Sequence, residues 1–368
     1  MMILSLIALC LAAIYFGLVL ALRIGLSRLG HCIESKSHRI SIIVAMKNEM
    51  SNARFCLEAL INQTYPNHRM EIIIVDDGST DETANILAEY QNRYSFLKII
   101  RNESFPAGLS SKKFALSKAI ANSVGEILLF TDADCVPLPD WAWSMVSCFS
   151  PEVGLVAGFS PLIDPTDSFI GKLLHLDGLV NGAVAAGSIG LGGTVTATGR
   201  NIAYRREVYD QVNGFNEIMH CVSGDDDLFL QLVHKKTDWK IRFAIDRDAI
   251  VPSYQTKTLK EFVRQKKRHL SAGKYYNFKL QVAYFLFHLS NFALFAFVIG
   301  SIILKQNIFL AILLFFTKLL MDGLLIIATS KTFSIRAKVK YLLFWEVLFL
   351  SYHLIISPVS WVGNIKWK

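Results

Sequence analysis

From Ile3 to Leu22 the chain carries no charged residue, a length of apolar sequence that crosses a hydrocarbon core as a helix. A cleaved signal peptide would place its positive charges before the run and a small-residue cleavage site after it. Here Arg23, Arg28, Lys36 and Arg39 follow it. Residues 1–24 are therefore read as an uncleaved membrane anchor and 25–39 as a basic linker on the cytoplasmic side. The chain of 368 residues is 52% hydrophobic, and the remaining excess lies at the far end. Apolar runs near Leu280–Leu304, Ile308–Thr329 and Val339–Val362 make 276–368 a membrane region of about three helices. Lys331, Arg336, Lys338 and Lys340 between the last two fall on the same side as the linker, in agreement with a cytoplasmic catalytic domain on an integral protein of a bacterial inner membrane. Counting spans puts Lys366 and Lys368 outside, unless Ser357-Pro358 breaks the last helix and leaves the tail inside. Lys318 and Asp322, one helical turn apart inside a span, neutralise each other in a packing role.

The net charge of +8 concentrates near these spans and suits anionic lipid headgroups. No basic run interleaved with aromatics points to nucleic acid. Cys10, Cys32, Cys56, Cys135, Cys148 and Cys221 show neither metal-ligand spacing nor a paired framework, which agrees with a reducing cytosol.

The middle of the chain alternates. Ile40–Ala45, Met70–Val75, Leu97–Ile100 and Ile127–Thr131 read as strands. Ala53–Ile61, a stretch opened by the capping box Ser79-x-x-Glu82 and running to about Tyr90, and Lys112–Ala121 read as helices. Such alternation implies an α/β domain over 40–256 with a mostly parallel sheet. Gly178–Gly199, rich in small residues, reads as a mobile loop or closely packed turn, and Asp225–Val233 as a helix. Thr258–Leu270 is amphipathic and basic, so 257–275 is an interfacial segment, with a solvated helix packed on the domain as the alternative.

Ligands of parallel sheets bind beyond the carboxyl ends of the strands. Three polar clusters stand there: Lys47-Asn48-Glu49, Asp76-Asp77-Gly78-Ser79 and Asp132-Ala133-Asp134. Two carboxylates at alternate positions after a buried strand suit a hard cation, Mg²⁺ or Mn²⁺, completed by phosphate and water oxygens. Asp76 and Asp77 are placed to accept hydrogen bonds from a nucleoside, or else form an Asx turn and helix cap.

Ser41-Ile42-Ile43-Val44-Ala45-Met46-Lys47-Asn48-Glu49, Asn62-Gln63-Thr64-Tyr65-Pro66 and Ile73-Ile74-Val75-Asp76-Asp77-Gly78-Ser79-Thr80-Asp81 resemble the opening of the family 2 glycosyltransferases, inverting enzymes with a nucleotide-sugar-binding (GT-A-like) fold. The likeness spans roughly residues 40 to 270. It implies Asp132 and Asp134 as metal ligands and Glu49, Asp76, Asp77 and Lys112 as donor-binding residues. The segment Gly199-Arg200-Asn201 would lie on the acceptor side. The family's catalytic base falls in Gly224-Asp225-Asp226-Asp227-Leu228. Aligning on the glycine selects Asp226, and aligning on the trailing Asp-Leu selects Asp225. The membrane-bound members' Gln-x-x-Arg-Trp motif becomes Gln265-Lys266-Lys267-Arg268-His269, which keeps Gln265 and Arg268 for the donor diphosphate. His269, on the acceptor side, replaces the tryptophan of polymer-extending relatives. The implied chemistry is one in-line displacement from a nucleotide sugar, expected to be UDP-linked. The acceptor is expected to be a lipid or lipid-linked sugar, with glycan extension and export as the alternative. A non-catalytic scaffold would be expected to lose one of these carboxylates, and a nucleotidyltransferase to carry a glycine-rich loop near its first strand. Neither feature is present.

Overall fold

A computed structural model describes residues 2–33, 36–102, 106, 108–255 and 258–361. The tail with Lys366 and Lys368, and residues 256–257 where the catalytic domain was expected to end, lie outside this set. The first helix, α1 (Met2–Ser27), leads through the linker into β1 (Ile40–Met46), α2 (Ala53–Ile61), β2 (Met70–Asp76), α3 (Thr83–Gln91), β3 (Leu97–Arg101), α4 (Ser111–Ala121) and β4 (Ile127–Phe130). Then come α5 (Trp141–Val146), β5 (Val153–Gly158), β6 (Leu162–Ile163), α6 (Phe169–Gly190), β7 (Ile202–Arg205), α7 (Arg206–Gln211), α8 (Asp227–Lys236), β8 (Lys240–Ala244) and β9 (Ser253–Tyr254). The chain closes with α9 (Leu259–Ser271), α10 (Phe278–Ile303), α11 (Ile308–Thr332) and α12 (Leu342–Ser360).

The main sheet has the order β3-β2-β1-β4-β7-β5-β8 and is parallel except around β7, which runs antiparallel to both neighbours. Every residue of β1, β2 and β4 is buried, as expected for strands covered by helices on both faces. The fold expected from the alternation is thus present. Four helices, Ile3–Ser27, Phe278–Ile303, Ile308–Thr332 and Val339–Ser360, are long and apolar enough to cross a membrane.

Three local expectations are corrected. Most of the glycine-rich stretch 178–199 is not a loop: its residues 178–190 belong to one continuous helix, Phe169–Gly190, and 191–199 form the turn and coil after it. It packs against α1 so closely that a Cβ on Gly190 would come within 2.0 Å of the Gly25 carbonyl oxygen, and one on Gly25 within 1.9 Å of that of Gly187. Small residues here allow two helix backbones to touch, and that packing outweighs the intrinsic cost of glycine in a helix. The capping box does not form either. Ser79 Oγ accepts the Asn48 N–H, and Asp81 Oδ1 takes the Thr83 N–H at the start of α3. Finally, Cys32 and Cys148 are joined by a disulfide, tying the linker to the chain just past α5, so cysteine usage no longer argues for a reducing compartment.

The catalytic sheet and the apolar helices share one hydrophobic cluster. Ala157 and Phe159 at the end of β5 and Phe243 of β8 pack with Leu174 and Ala183 of α6, Phe333 after α11, and Trp345 and Phe349 of α12. Within the apolar bundle, Lys318 Nζ reaches Asp322 Oδ2 at 2.8 Å and Glu346 Oε2 at 2.6 Å, while Tyr15 OH donates to Asp322 Oδ1 at 2.8 Å. The expected self-neutralising pair is therefore part of a larger network that fastens α1 to α11 and α12.

Candidate active site

Register places the acidic turns. Met46 pairs with Asp76, so β1 and β2 end level, while Phe130, the last residue of β4, pairs with Ile43 three residues earlier. Extending that register by two residues sets Asp132 opposite Ala45, on the other side of β1 from Asp76.

At the β2 end, Asp76 Oδ1 accepts the Ser79 N–H at 2.9 Å, and the backbone of Asp77 donates to the Met46 carbonyl at 2.8 Å. The buried Asp77 side chain takes Asn102 Nδ2 on Oδ1 at 2.6 Å. Its Oδ2 has Lys47 Nζ at 3.6 Å, an ion pair too long for a hydrogen bond. This buried oxygen accepts no hydrogen bond among the described residues. Glu49 lies at the entry to α2, where its Oε2 accepts from Asn52 Nδ2.

At the β4 end, Lys112 in the first turn of α4 bridges two carboxylates, Asp132 Oδ1 at 2.9 Å and Asp225 Oδ2 at 2.8 Å. A narrow opening is lined by Lys112, Asp132, Gly199 and Asp225 over a floor of Phe130, Ile202 and Tyr204. Burial and then the neighbouring Asp132 raise the carboxyl of Asp134. Burial alone would also raise Asp225, but Lys112 and Lys113 override it and hold it at about 2. Asp226 is raised by burial and by Asp225.

The two candidate bases differ in what occupies them. Asp226 Oδ2 accepts the Gly199 N–H at 2.8 Å and its Oδ1 the Asp227 N–H at 2.8 Å, so this side chain pins a loop and caps α8. Asp225 lines the opening, with Lys112 Nζ 2.8 Å from its Oδ2. The loop leading to it is held by Lys113, whose fully buried Nζ donates to the carbonyls of Cys221 at 2.6 Å and Ser223 at 2.7 Å. Lys113 was not singled out from sequence. Its neighbour Lys112 matched the motif, and only burial distinguishes the second lysine.

Asn201, expected on the acceptor side, is fully buried. Its Oδ1 takes the Trp141 indole N–H, and its Nδ2 donates to the carbonyls of Phe159 and Ala249. It braces the wall behind the cleft and has no surface to offer an acceptor. Gly199 does line the opening. Helix α9 brings Gln265, Arg268 and His269. His269 is exposed on this helix, with Arg268 Nη2 3.5 Å from its Nε2.

The donor set fits a divalent ion. Among the described residues no group of three or more His, Cys, Asp or Glu could enclose a metal. Two carboxylates at one turn suit an ion that completes its shell with phosphate and water oxygens.

Residues 41–212 match the family model described as Glycosyl transferase family 2, and residues 129–362 the one described as Glycosyl transferase family group 2. The probable glycosyltransferase YdaM of Bacillus subtilis is 26% identical over 250 residues, 67% of this chain and 58% of that protein. The beta-monoglucosyldiacylglycerol synthase of Nostoc sp. is 31% identical over 205 residues, 55% of this chain and 43% of that protein. The chain thus spans about half the length of these curated relatives. Among solved structures, the mannosyltransferase PcManGT from Pyrobaculum calidifontis, in complex with GDP-Man and Mn²⁺, superposes with a TM-score of 0.61 at 20% identity over 90% of this chain and 98% of that one, a likeness of fold.

Proposed function

From the premise that this chain belongs to glycosyl transferase family group 2, we propose that it moves a sugar, with inversion, from a UDP-linked donor to a lipid or lipid-linked acceptor at the cytoplasmic membrane face. The observation that carries this reading is the placement of Asp225. It stands across one lysine from the metal-side carboxylate Asp132, in a domain whose core is continuous with the apolar helices.

Asp77, Asp76 and Glu49 hold the nucleoside end of the donor, and Arg268 and Gln265 brace the diphosphate. Mg²⁺ or Mn²⁺ held by Asp132 and Asp134 would neutralise charge developing on the departing diphosphate. Lys112 turns from Asp225 toward that same charge when the donor enters, which frees Asp225 to accept the proton of the attacking hydroxyl. Asp226, with both oxygens committed to backbone N–H groups, keeps the loop in place. A base on the face opposite the leaving group makes one displacement, and one displacement inverts the anomeric centre.

The acceptor reading draws support from the relatives named for glucosyldiacylglycerol synthesis and from the hydrophobic core that the main sheet shares with the apolar helices. The basic loop 331–340 supports the cytoplasmic face. The test is incubation of membranes holding the full chain with UDP- and GDP-sugars and Mn²⁺, followed by mass analysis of the lipid extract. A lipid whose mass rises by one hexose or related sugar is expected. Release of free sugar alone, or a product that stays in the aqueous phase, would overturn the lipid acceptor.

A further inference from the structure

Asp177 lies in the middle of α6 with 2% of its surface exposed, yet it is a carboxylate among apolar helices. Burial of such a group requires compensating partners, and it has three. Lys266 Nζ of α9 stands 2.5 Å from Oδ2, Asn181 Nδ2 3.2 Å from the same oxygen, and Tyr352 OH of α12 2.8 Å from Oδ1. The Lys266 ammonium also sits 4.6 Å above the Tyr352 ring, and Phe262, one turn earlier on α9, meets that ring edge-on at 6.0 Å.

Lys266 lies within the stretch Gln265 to His269, whose Gln265 and Arg268 are given the donor role above. At 100° per residue, Phe262, Lys266 and Leu270 form one face of α9, while Arg268 points nearly opposite to Lys266. Whatever fixes Lys266 therefore fixes the roll of α9, and with it the direction of Arg268. We propose that Asp177 is a positioning residue for the donor-side helix: through Lys266 and Tyr352 it locks α9 onto α6 and α12, so that Arg268 faces the diphosphate only when the apolar bundle is assembled. This rests on the donor role given to Arg268 above and adds the element that orients it.

The full chain in lipid nanodiscs is compared with its Asp177→Asn and Lys266→Met variants by two readouts. Hydrogen exchange over residues 259–271 reports the lock without requiring activity. Initial rates against nucleotide-sugar concentration report its purpose. Exchange in α9 is expected to rise while that of β1 and β2 stays unchanged. The KM for donor is expected to rise about tenfold with kcat held within about threefold, the pattern of lost ground-state binding. Lys266→Arg, which can still pair with a carboxylate, should recover most of the donor affinity. Unchanged exchange in α9 overturns the lock. Raised exchange with an unchanged KM, or an equal loss of kcat, overturns its role in donor positioning. If the unmodified protein turns over no nucleotide sugar, the proposed function fails, and the exchange data still judge the lock on their own.

Discussion

Lys112 Nζ lies 2.8 Å from Asp225 Oδ2 and holds it beside Asp132, whose Oδ1 is 2.9 Å from the same nitrogen. One cation thus joins the strand-end turn to the loop before α8, and its own charge is stabilised by Asp132 and Asp225 against the opposing effect of burial. Replacing it by alanine leaves Asp132 and Asp225 without the cation that bridges them. Lys112→Ala is expected to lower kcat/KM by roughly a hundredfold, the magnitude of losing one preorganised charge at a transition state. Initial-rate measurements against donor concentration check it.

The unequal engagement of Asp225 and Asp226 predicts unequal phenotypes. Asp225→Asn should abolish most turnover, by about 10³-fold or more, with donor binding retained, because a general base is lost but no packing changes. Asp226→Asn should lower Tm as well as rate, since an amide has one acceptor oxygen and must turn its NH2 toward the N–H of either Gly199 or Asp227. Transfer assays paired with equilibrium dialysis of labelled nucleotide separate the two. Equal loss of turnover without loss of stability in both variants contradicts the assignment.

Removal of divalent ions should stop transfer, and Mn²⁺ or Mg²⁺ should restore it. In Asp132→Asn the concentration of ion needed for half-maximal rate should rise about tenfold or more, as expected when one of two anionic ligands is lost. Titration of metal into chelator-treated protein gives the answer.

The sheet was legible because its strands are unbroken apolar runs and its helices are spaced between them. Residues such as Ile42, Ile72 and Leu129 face a core on whichever side they point. Helix α6 was not legible, because its glycines argue locally for a loop. The reason they are tolerated, contact with Gly25 of α1, lies far away in sequence. Cys32 and Cys148 are separated by 116 positions, and no spacing rule reaches that distance. The capping box failed because Ser79 Oγ is taken by the Asn48 N–H and α3 begins only at Thr83, whose N–H goes to Asp81 Oδ1. Sequence singled out Asp132, Asp134, Asp225 and Asp226 but left Asp225 and Asp226 equivalent. The Gly199 N–H, brought from before β7, is what distinguishes their surroundings. Asn201 matched a motif whose position suggested contact with acceptor, although its amide is consumed by Trp141, Phe159 and Ala249.

The network of Tyr15, Lys318, Asp322 and Glu346 should be intolerant of losing its cation. Lys318→Ala leaves two buried carboxylates with Tyr15 as the remaining donor to Asp322, a loss of about 3–5 kcal/mol by analogy with other broken buried pairs. Size-exclusion profiles after heating in detergent should show early aggregation. A Lys318→Met, Asp322→Leu, Glu346→Leu triple variant should recover much of the stability, since apolar replacement of a whole buried ionic group is often neutral.

Glu71 supplies a pH signature within the catalytic sheet. Burial by itself would raise its carboxyl, but Lys98, Ser41 and the Val124 N–H together hold it below the usual value. A depressed carboxyl contributes stability that is present above the unfolded pKa, near 4.3, and is lost as pH falls through the folded one. The Tm difference between the unmodified protein and Glu71→Gln should therefore be full near neutrality and shrink below about pH 4. A difference that grows on acidification would contradict this assignment.

The joint cluster of Phe159, Phe243, Leu174, Phe333 and Trp345 means that no cut through the chain frees a water-soluble enzyme. Residues 40–255 expressed by themselves would bare an oily flank along α6 and the β5–β8 edge, large enough to drive self-association. The bilayer segments are in this sense one wall of the catalytic domain, and detergents that loosen them should silence chemistry well before the sheet itself unfolds.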